Sequence, residues 1–159
     1  MNSKRRDGRT VRISPEKREL IDGLPITIER VKDYYVARVR VNQGLHRPRL
    51  HRIIMDVYDP DILVDHKDGD SLNCTDENLR TCNHTENNWN SRKRTSNTTS
   101  KYKGVAFDKV AGMWKARFYA YKKQICLGYF HSEEEAALAY NAKALEVAGE
   151  FAKVNDVQV

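Results

Sequence analysis

Apolar and polar residues alternate along several stretches of this chain and follow a helical stripe in others. Ile26-Thr27-Ile28-Glu29-Arg30-Val31 and Tyr35-Val36-Ala37-Arg38-Val39-Arg40-Val41 flank Lys32-Asp33 and predict a β-hairpin. In its second strand Tyr35, Ala37, Val39 and Val41 share one face, and Arg38 and Arg40 share the other with Val36. Leu50, Ile53, Ile54 and Val57 recur at helical spacing, and Asp59-Pro60 is expected to stop that short helix. Much later, Trp114, Ala116, Phe118 and Ala120 alternate with Lys115, Arg117, Tyr119 and Tyr121, a strand with one buried face and one cationic, aromatic face. Lys122-Lys123 reads as the turn into a third strand over 125–130. Ser132-Glu133-Glu134-Glu135 is a capping box with three acids in the first turn, so a helix begins there and Gly149 ends it.

Between these patterns lies a polar stretch with its own order. Ile62-Leu63-Val64 leads into Asp65-His66 as a strand, Gly69-Asp70-Ser71 and Asn73 supply turn chemistry, and Leu72 is a plug beneath the loop. Asn78-Leu79-Arg80 reads as a return strand. A helix from near Asn83 to about Lys93 would place Asn83 and Asn87 on one face, with His84 and Asn88 beside them. Residues 1–22 show no apolar period and read as a flexible basic arm. The chain thus divides into that arm, a first domain over 23–92, a Ser/Thr/Asn-rich linker over 93–100 and a second domain over 101–155. The fold class is α+β.

Charge sharpens the picture. The formal net charge is +6, but it is segregated along the chain. Residues 1–52 carry 14 Lys/Arg against 6 Asp/Glu, 53–89 carry 2 against 9, 90–130 carry 10 against 1, and 131–159 carry 2 against 6. An acidic island between basic stretches suits a protein that grips phosphates on both sides of a cation site. Cys74, Cys82 and Cys126 contain no C-x-x-C pair, which speaks against a disulfide framework and against a zinc ribbon, so no zinc is expected. No apolar run approaches a membrane span and no signal peptide is visible, so a cytoplasmic protein is expected; a monomer is expected too, although the sequence does not give the oligomeric state.

Candidate chemistry sits on the acidic island. Asp65, His66, Asn78 and Asn87 gather a carboxylate, an imidazole and two carboxamides within 23 residues. Cutting a phosphodiester needs such groups: a hard-cation ligand, a general base, and polar groups that hold both. The run Val64-Asp65-His66-Lys67-Asp68-Gly69-Asp70, then Glu77-Asn78-Leu79-Arg80, then Asn83-His84-Thr85-Glu86-Asn87-Asn88 resembles the HNH nuclease motif of the homing-endonuclease type, over roughly residues 50–92. That resemblance implies a ββα-metal motif, two short antiparallel strands and a helix pinching one metal ion. It also implies Asp65 and Asn87 as metal ligands, His66 as the base, and Asn78 as the brace of the loop. Asn83, His84 and Asn88 stay open as alternatives for the second ligand. Two oxygen ligands with open positions suit Mg²⁺, with Mn²⁺ able to substitute.

The second domain has a resemblance of its own. Tyr102-Lys103-Gly104-Val105, Trp114-Lys115-Ala116 and Leu127-Gly128-Tyr129-Phe130 precede Glu134-Glu135-Ala136-Ala137-Leu138-Ala139-Tyr140. This order resembles the Apetala-type (ethylene-response-factor) DNA-binding domain, a three-stranded antiparallel sheet packed on one helix. The resemblance implies major-groove contacts from Lys103, Lys115, Arg117 and Tyr119, with Lys109, Lys122 and Gln124. Ala106, Phe107 and Asp108 stand where the plant proteins are arginine-rich, so the plant target sequence does not carry over. Together the two resemblances imply a metal-dependent endonuclease acting on double-stranded DNA, of the mobile kind found in phage or bacterial genomes. A rival from another class is a DNA-binding regulator whose HNH remnant no longer cuts. An RNA-directed protein would show more stacking platforms than Tyr119 and Tyr121.

Overall fold

The computed structural model describes residues 8–41, 46–93 and 98–158. The fold is mixed α+β, with small sheets and few helices, and it groups into two compact units, Met1–Asn83 and His84–Val159. Among the described residues no helix is long and apolar enough to cross a membrane.

The first unit is built on a hairpin. Strands β2 (Ile26–Val31) and β3 (Tyr34–Val39) pair antiparallel, with Lys32 at φ 55° in the turn. Val36, Ala37 and Val39 are buried, so the hairpin covers a core rather than standing half in water. Helix α1 (Leu50–Ile54) lays Leu50 and Ile54 into that core, both almost wholly shielded. Each such side chain contributes about 1.5–3 kcal/mol by leaving water. The helix is shorter than its apolar stripe suggests. Asp56 turns left-handed at φ 53°, its amide bonds the Ile53 carbonyl and the Val57 amide bonds that of Arg52. This is a Schellman ending with aspartate in the place glycine usually takes, and it stops the helix before Asp59-Pro60.

Residues 1–22 differ from the expected arm. Residues 1–7 lie outside the described residues, but from Val11 onward the chain belongs to the core. Strand β1 (Arg12–Ile13) pairs in parallel with β5 (Asn73–Cys74). Val11 and Ile21 are buried, two short 3₁₀ turns run between them, and the Ser14 hydroxyl accepts the Asp76 amide at 2.8 Å. Two-residue strands and single apolar anchors carry no periodicity, which is why polarity alone read as an arm.

Strands β4 (Leu63–His66) and β6 (Leu79–Cys82) pair antiparallel, matching Asp65 with Arg80 and His66 with Leu79. Leu72 packs with Cys74 and Leu79 in the core beneath the connecting loop, the plug its position suggested.

The second unit opens with helix α2 (His84–Asn90), shorter than the span to Lys93 expected. A three-stranded antiparallel sheet follows in the order β7 (Val105–Asp108), β8 (Met113–Ala120), β9 (Lys123–Phe130). The β8–β9 turn is Tyr121-Lys122, one residue earlier than expected, with φ of 51° and 61°. Both central residues in the left-handed region make the turn of type I′, whose twist matches the strands even without its usual Asn-Gly. Helix α3 (Glu133–Ala148) starts on the full capping box: the Ser132 hydroxyl accepts the Glu135 amide, and the Glu135 carboxylate accepts the Ser132 amide. Ala136, Ala137, Ala144 and Ala148 are buried against the sheet, and their small side chains let helix and sheet approach closely. Tyr140 lies against Gly104, where a β-carbon would stand 2.1 Å from the ring.

Candidate functional site

Strand β4 ends in two buried polar residues, and the physics of the first unit turns on how each is held. Asp65 is 8% exposed and accepts both Nε (3.1 Å) and Nη2 (3.0 Å) of Arg80 on its Oδ2. Cross-strand register makes that pair: Arg80 stands opposite Asp65 on β6. A buried carboxylate without such a partner is costly.

His66, also 8% exposed, meets the ring of His51 edge-on at 4.9 Å, and its Nε2 lies 3.9 Å from the Cys74 sulfur. Burial pushes the His66 imidazole below its ordinary value, while Asp65, Asp68 and Asp70 pull it up and Arg49 adds to the lowering. His51 is pushed down to about 3, first by burial, then by His66 and by Arg49, Arg52 and Arg38. Both rings are therefore neutral at neutral pH. Burial also raises the Cys74 thiol to about 12, with Asp70 and Asp68 adding to it, so it stays protonated and unreactive.

The loop from His66 to Cys74 is fixed by Asn78. Its Oδ1 accepts the Asp68 amide (3.0 Å), and its Nδ2 donates to Asp68 Oδ1 (3.0 Å) and to the Asn73 carbonyl (2.7 Å). The Asn78 carbonyl accepts the Lys67 amide at 2.9 Å, which fixes the backbone next to His66. Gly69, at φ 75°, closes the turn by donating to the His66 carbonyl. Asp68 takes further bonds from the Asp70 amide and Asn73 Nδ2. Burial alone would raise its carboxyl, but these donors and Arg12 outweigh it and hold it below the usual range.

The structure brings Asp65, His66 and Asn78 together in the first unit. Asn87, with His84 and Asn88, is exposed on α2 in the second unit. Among the described residues no three His, Cys, Asp or Glu side chains gather as a metal-holding group. Carboxylate and carboxamide oxygens are hard donors and fit Mg²⁺ in kind, whereas the Arg80 guanidinium on Asp65 opposes a second positive charge. Arg80 and His51 are neighbours of Asp65 and His66 that sequence reasoning did not include. The β4–β6 register would have revealed Arg80, and the i,i+3 relation of His51 to Ile54 marked its burial.

In the second unit, Lys115, Arg117 and Tyr119 point away from the core formed by Ala116, Phe118 and Ala120. A bulge between Ala116 and Arg117 lets Gln124, Cys126 and Tyr129 of β9 pair with Tyr119, Arg117 and Lys115 on the same outer face. The Lys115 ammonium stands 5.0 Å over the Tyr129 ring. Lys109 and Lys122 are exposed in the flanking turns. Lys103 differs from the expected groove contact. Its ammonium donates to the carbonyls of Asn88 (3.3 Å), Trp89 (2.6 Å) and Ser91 (2.7 Å), spending three protons on the C-terminal end of α2. Burial, then Lys153, lowers it to about 8. Trp89 completes the docking of α2 by stacking on Phe118 and donating its indole N–H to the Tyr119 carbonyl at 2.9 Å.

Comparison with known proteins adds identity to this geometry. A 90-residue stretch is 36% identical to Protein 3.8 of Escherichia phage T7 and covers 57% of this chain and 73% of that protein. The chain belongs to the family of that phage protein. Beyond the Protein 3.8 family, 129 residues are 33% identical to the Uncharacterized HNH endonuclease L560 of Acanthamoeba polyphaga mimivirus, or 74% of this chain and 62% of that protein. A 67-residue stretch is 34% identical to the AP2-like ethylene-responsive transcription factor TOE2 of Arabidopsis thaliana, 42% of this chain and 14% of the plant factor. The chain thus spans under two thirds of the viral protein and a small part of the plant one. No protein-family model and no solved structure matches it.

Proposed function

We propose that this protein is a metal-dependent endonuclease that hydrolyses phosphodiester bonds at a recognised site in double-stranded DNA, of the mobile, homing type. The observation that carries the reading is His66. A buried, neutral imidazole follows the Asp65–Arg80 pair at the end of β4, on a loop held by Asn78, in a chain similar to an HNH endonuclease. A general base must be unprotonated at working pH, and burial makes it so.

His66, whose Nε2 lies 3.9 Å from the Cys74 sulfur, is the group that takes a proton from the attacking water in this reading. His51, edge-on to the ring, holds its plane. Asn78 fixes the loop and so the backbone from which His66 projects. Asp65 and Asn87 would hold one Mg²⁺, or Mn²⁺ in its place; when bound, it offsets the charge that develops on the phosphate and the leaving oxygen. The outer sheet face reads the duplex through Lys115, Arg117, Tyr119 and Gln124, with Lys109 and Lys122 on phosphates.

The test pairs plasmid cleavage with gel-shift binding. Wild-type protein is expected to cut DNA with Mg²⁺ and not with EDTA, and His66→Ala to lose 10²- to 10⁴-fold in rate (roughly, from the worth of a general base) with duplex affinity unchanged. Near-normal cleavage by that variant removes His66 from the mechanism. A second reading, a regulator with an inactive HNH remnant, draws on Arg80, which occupies the Asp65 carboxylate. Site-selective binding without cleavage in either Mg²⁺ or Mn²⁺ would establish that reading instead.

A further inference from the structure

The second unit contains a cleft of about 570 Å³ that neither the base nor the sheet face uses. Five cations, Arg92, Lys93, Lys101, Lys103 and Lys153, line it, against the single carboxylate of Asp156. None of these residues lies on the outer face of the three strands.

The walls are built rather than incidental. Asn155 accepts the Lys103 amide on Oδ1 (2.6 Å) and donates Nδ2 to the Lys103 carbonyl (3.0 Å). Asn141 of α3 holds Asn155 in the same two-way fashion: its Oδ1 accepts the Asn155 amide (2.7 Å) and its Nδ2 donates to the Asn155 carbonyl (2.9 Å). The segment carrying Lys153 is therefore locked to the segment carrying Lys101 and Lys103. Lys103 sits at the floor with its protons spent on α2, so it lends charge rather than hydrogen bonds. Lys101 is partly offset by Glu134 at 3.4 Å.

Positive charges held together beside partly dry walls repel one another, and an anion entering between them relieves that repulsion. Burial first, and then the neighbouring Lys153, push Lys103 down to about 8. Lys93 is also lowered, by burial, with Glu133 opposing.

We propose that this cleft is a phosphate-binding site that takes a backbone phosphodiester of duplex DNA, separate from the groove-reading sheet. It rests on the reading of duplex DNA as the partner. Phosphate clamps away from the bases set register and orientation and carry no sequence information. Occupation of the cleft would fix how the reader sits on the duplex while Arg117 and its neighbours inspect base edges.

The test uses the full chain with Lys93→Gln/Lys153→Gln, which keeps the stems and removes two charges without touching the cap of α2. Affinities for a target duplex and a scrambled duplex are measured from low to moderate salt, with Arg117→Gln as comparison. The double variant is expected to weaken both duplexes alike and to flatten the log–log salt slope by about 0.9 per lost phosphate contact. An unchanged slope, beside a clear loss with Arg117→Gln, overturns the cleft site and leaves the DNA-reading face standing. A wild-type protein that does not bind duplex at all overturns both. Inorganic phosphate provides the second arm, titrated by calorimetry. Weak binding that duplex displaces supports the backbone source. Tight phosphate binding that persists in the presence of duplex overturns it in favour of a small phosphorylated ligand.

Discussion

Replacing Arg80 by methionine tests whether the Asp65 carboxylate depends on its guanidinium. Both side chains are 9% exposed, and two bonds of 3.0 and 3.1 Å converge on one oxygen. Removing one partner of such a pair strands a buried charge, at a cost of about 3–5 kcal/mol. With a urea slope of about 2 kcal/mol/M for a small unit, the midpoint should fall by about 2 M. The protein offers an internal control, because its two tryptophans, Trp89 and Trp114, both lie in the second unit. Far-UV circular dichroism should show an early transition in Arg80→Met, while tryptophan fluorescence keeps its wild-type midpoint. Adding Asp65→Asn to the methionine variant removes the stranded charge and should recover most of the loss, since neutral replacements for buried pairs are often nearly neutral in stability. On the proposed reading, millimolar Mg²⁺ should also recover part of the loss in Arg80→Met, because the cation takes the carboxylate that arginine releases. A metal-free single variant within 1 kcal/mol (about a fifth to a third of that cost) of wild type would refute the account of Asp65.

Stability of the first unit should fall with acid through His51. Its folded value of about 3 lies below the ordinary 6.5, so between those pH values the unfolded chain holds a proton that the folded chain refuses. The contribution is intact above pH 6.5 and lost as pH falls, by about 1.4 kcal/mol per unit; urea midpoints for His51→Gln should show a shallower decline from pH 6.5 to 4. Gly104→Ala should destabilise the second unit by about 3 kcal/mol, since the new β-carbon would meet Tyr140 at 2.1 Å and the Arg117 carbonyl at 2.6 Å on a backbone at φ 77°. The fluorescence-detected midpoint reads that loss, and a midpoint within 0.5 kcal/mol of wild type (the usual range of a neutral surface change) would contradict the packing described.

What the sequence revealed followed from how local each interaction is. The capping box, the alternation of β8 and the small-residue face of α3 are set by neighbours a few positions apart, and the structure contains all three. The proximity of Asp65, His66 and Asn78 is local in the same way, since one strand end and one loop carry them. Arg80 acquires its meaning only when β6 is laid against β4 in register, and His51 only when α1 packs on the end of β4. The polar segment before Gly23 contributes Val11 and Ile21 through a parallel pairing with residues some 60 positions later, a contact without a local pattern. Turns misled where backbone strain replaced the expected residue: Asp56 and the Tyr121-Lys122 pair adopt φ > 0 without glycine. Lys103 shows the limit most clearly. The resemblance carried by Tyr-Lys-Gly-Val implies Lys103 as a groove contact. Its ammonium instead holds the last turn of the helix that carries Asn87, so this lysine fastens that helix to the start of the segment leading into β7.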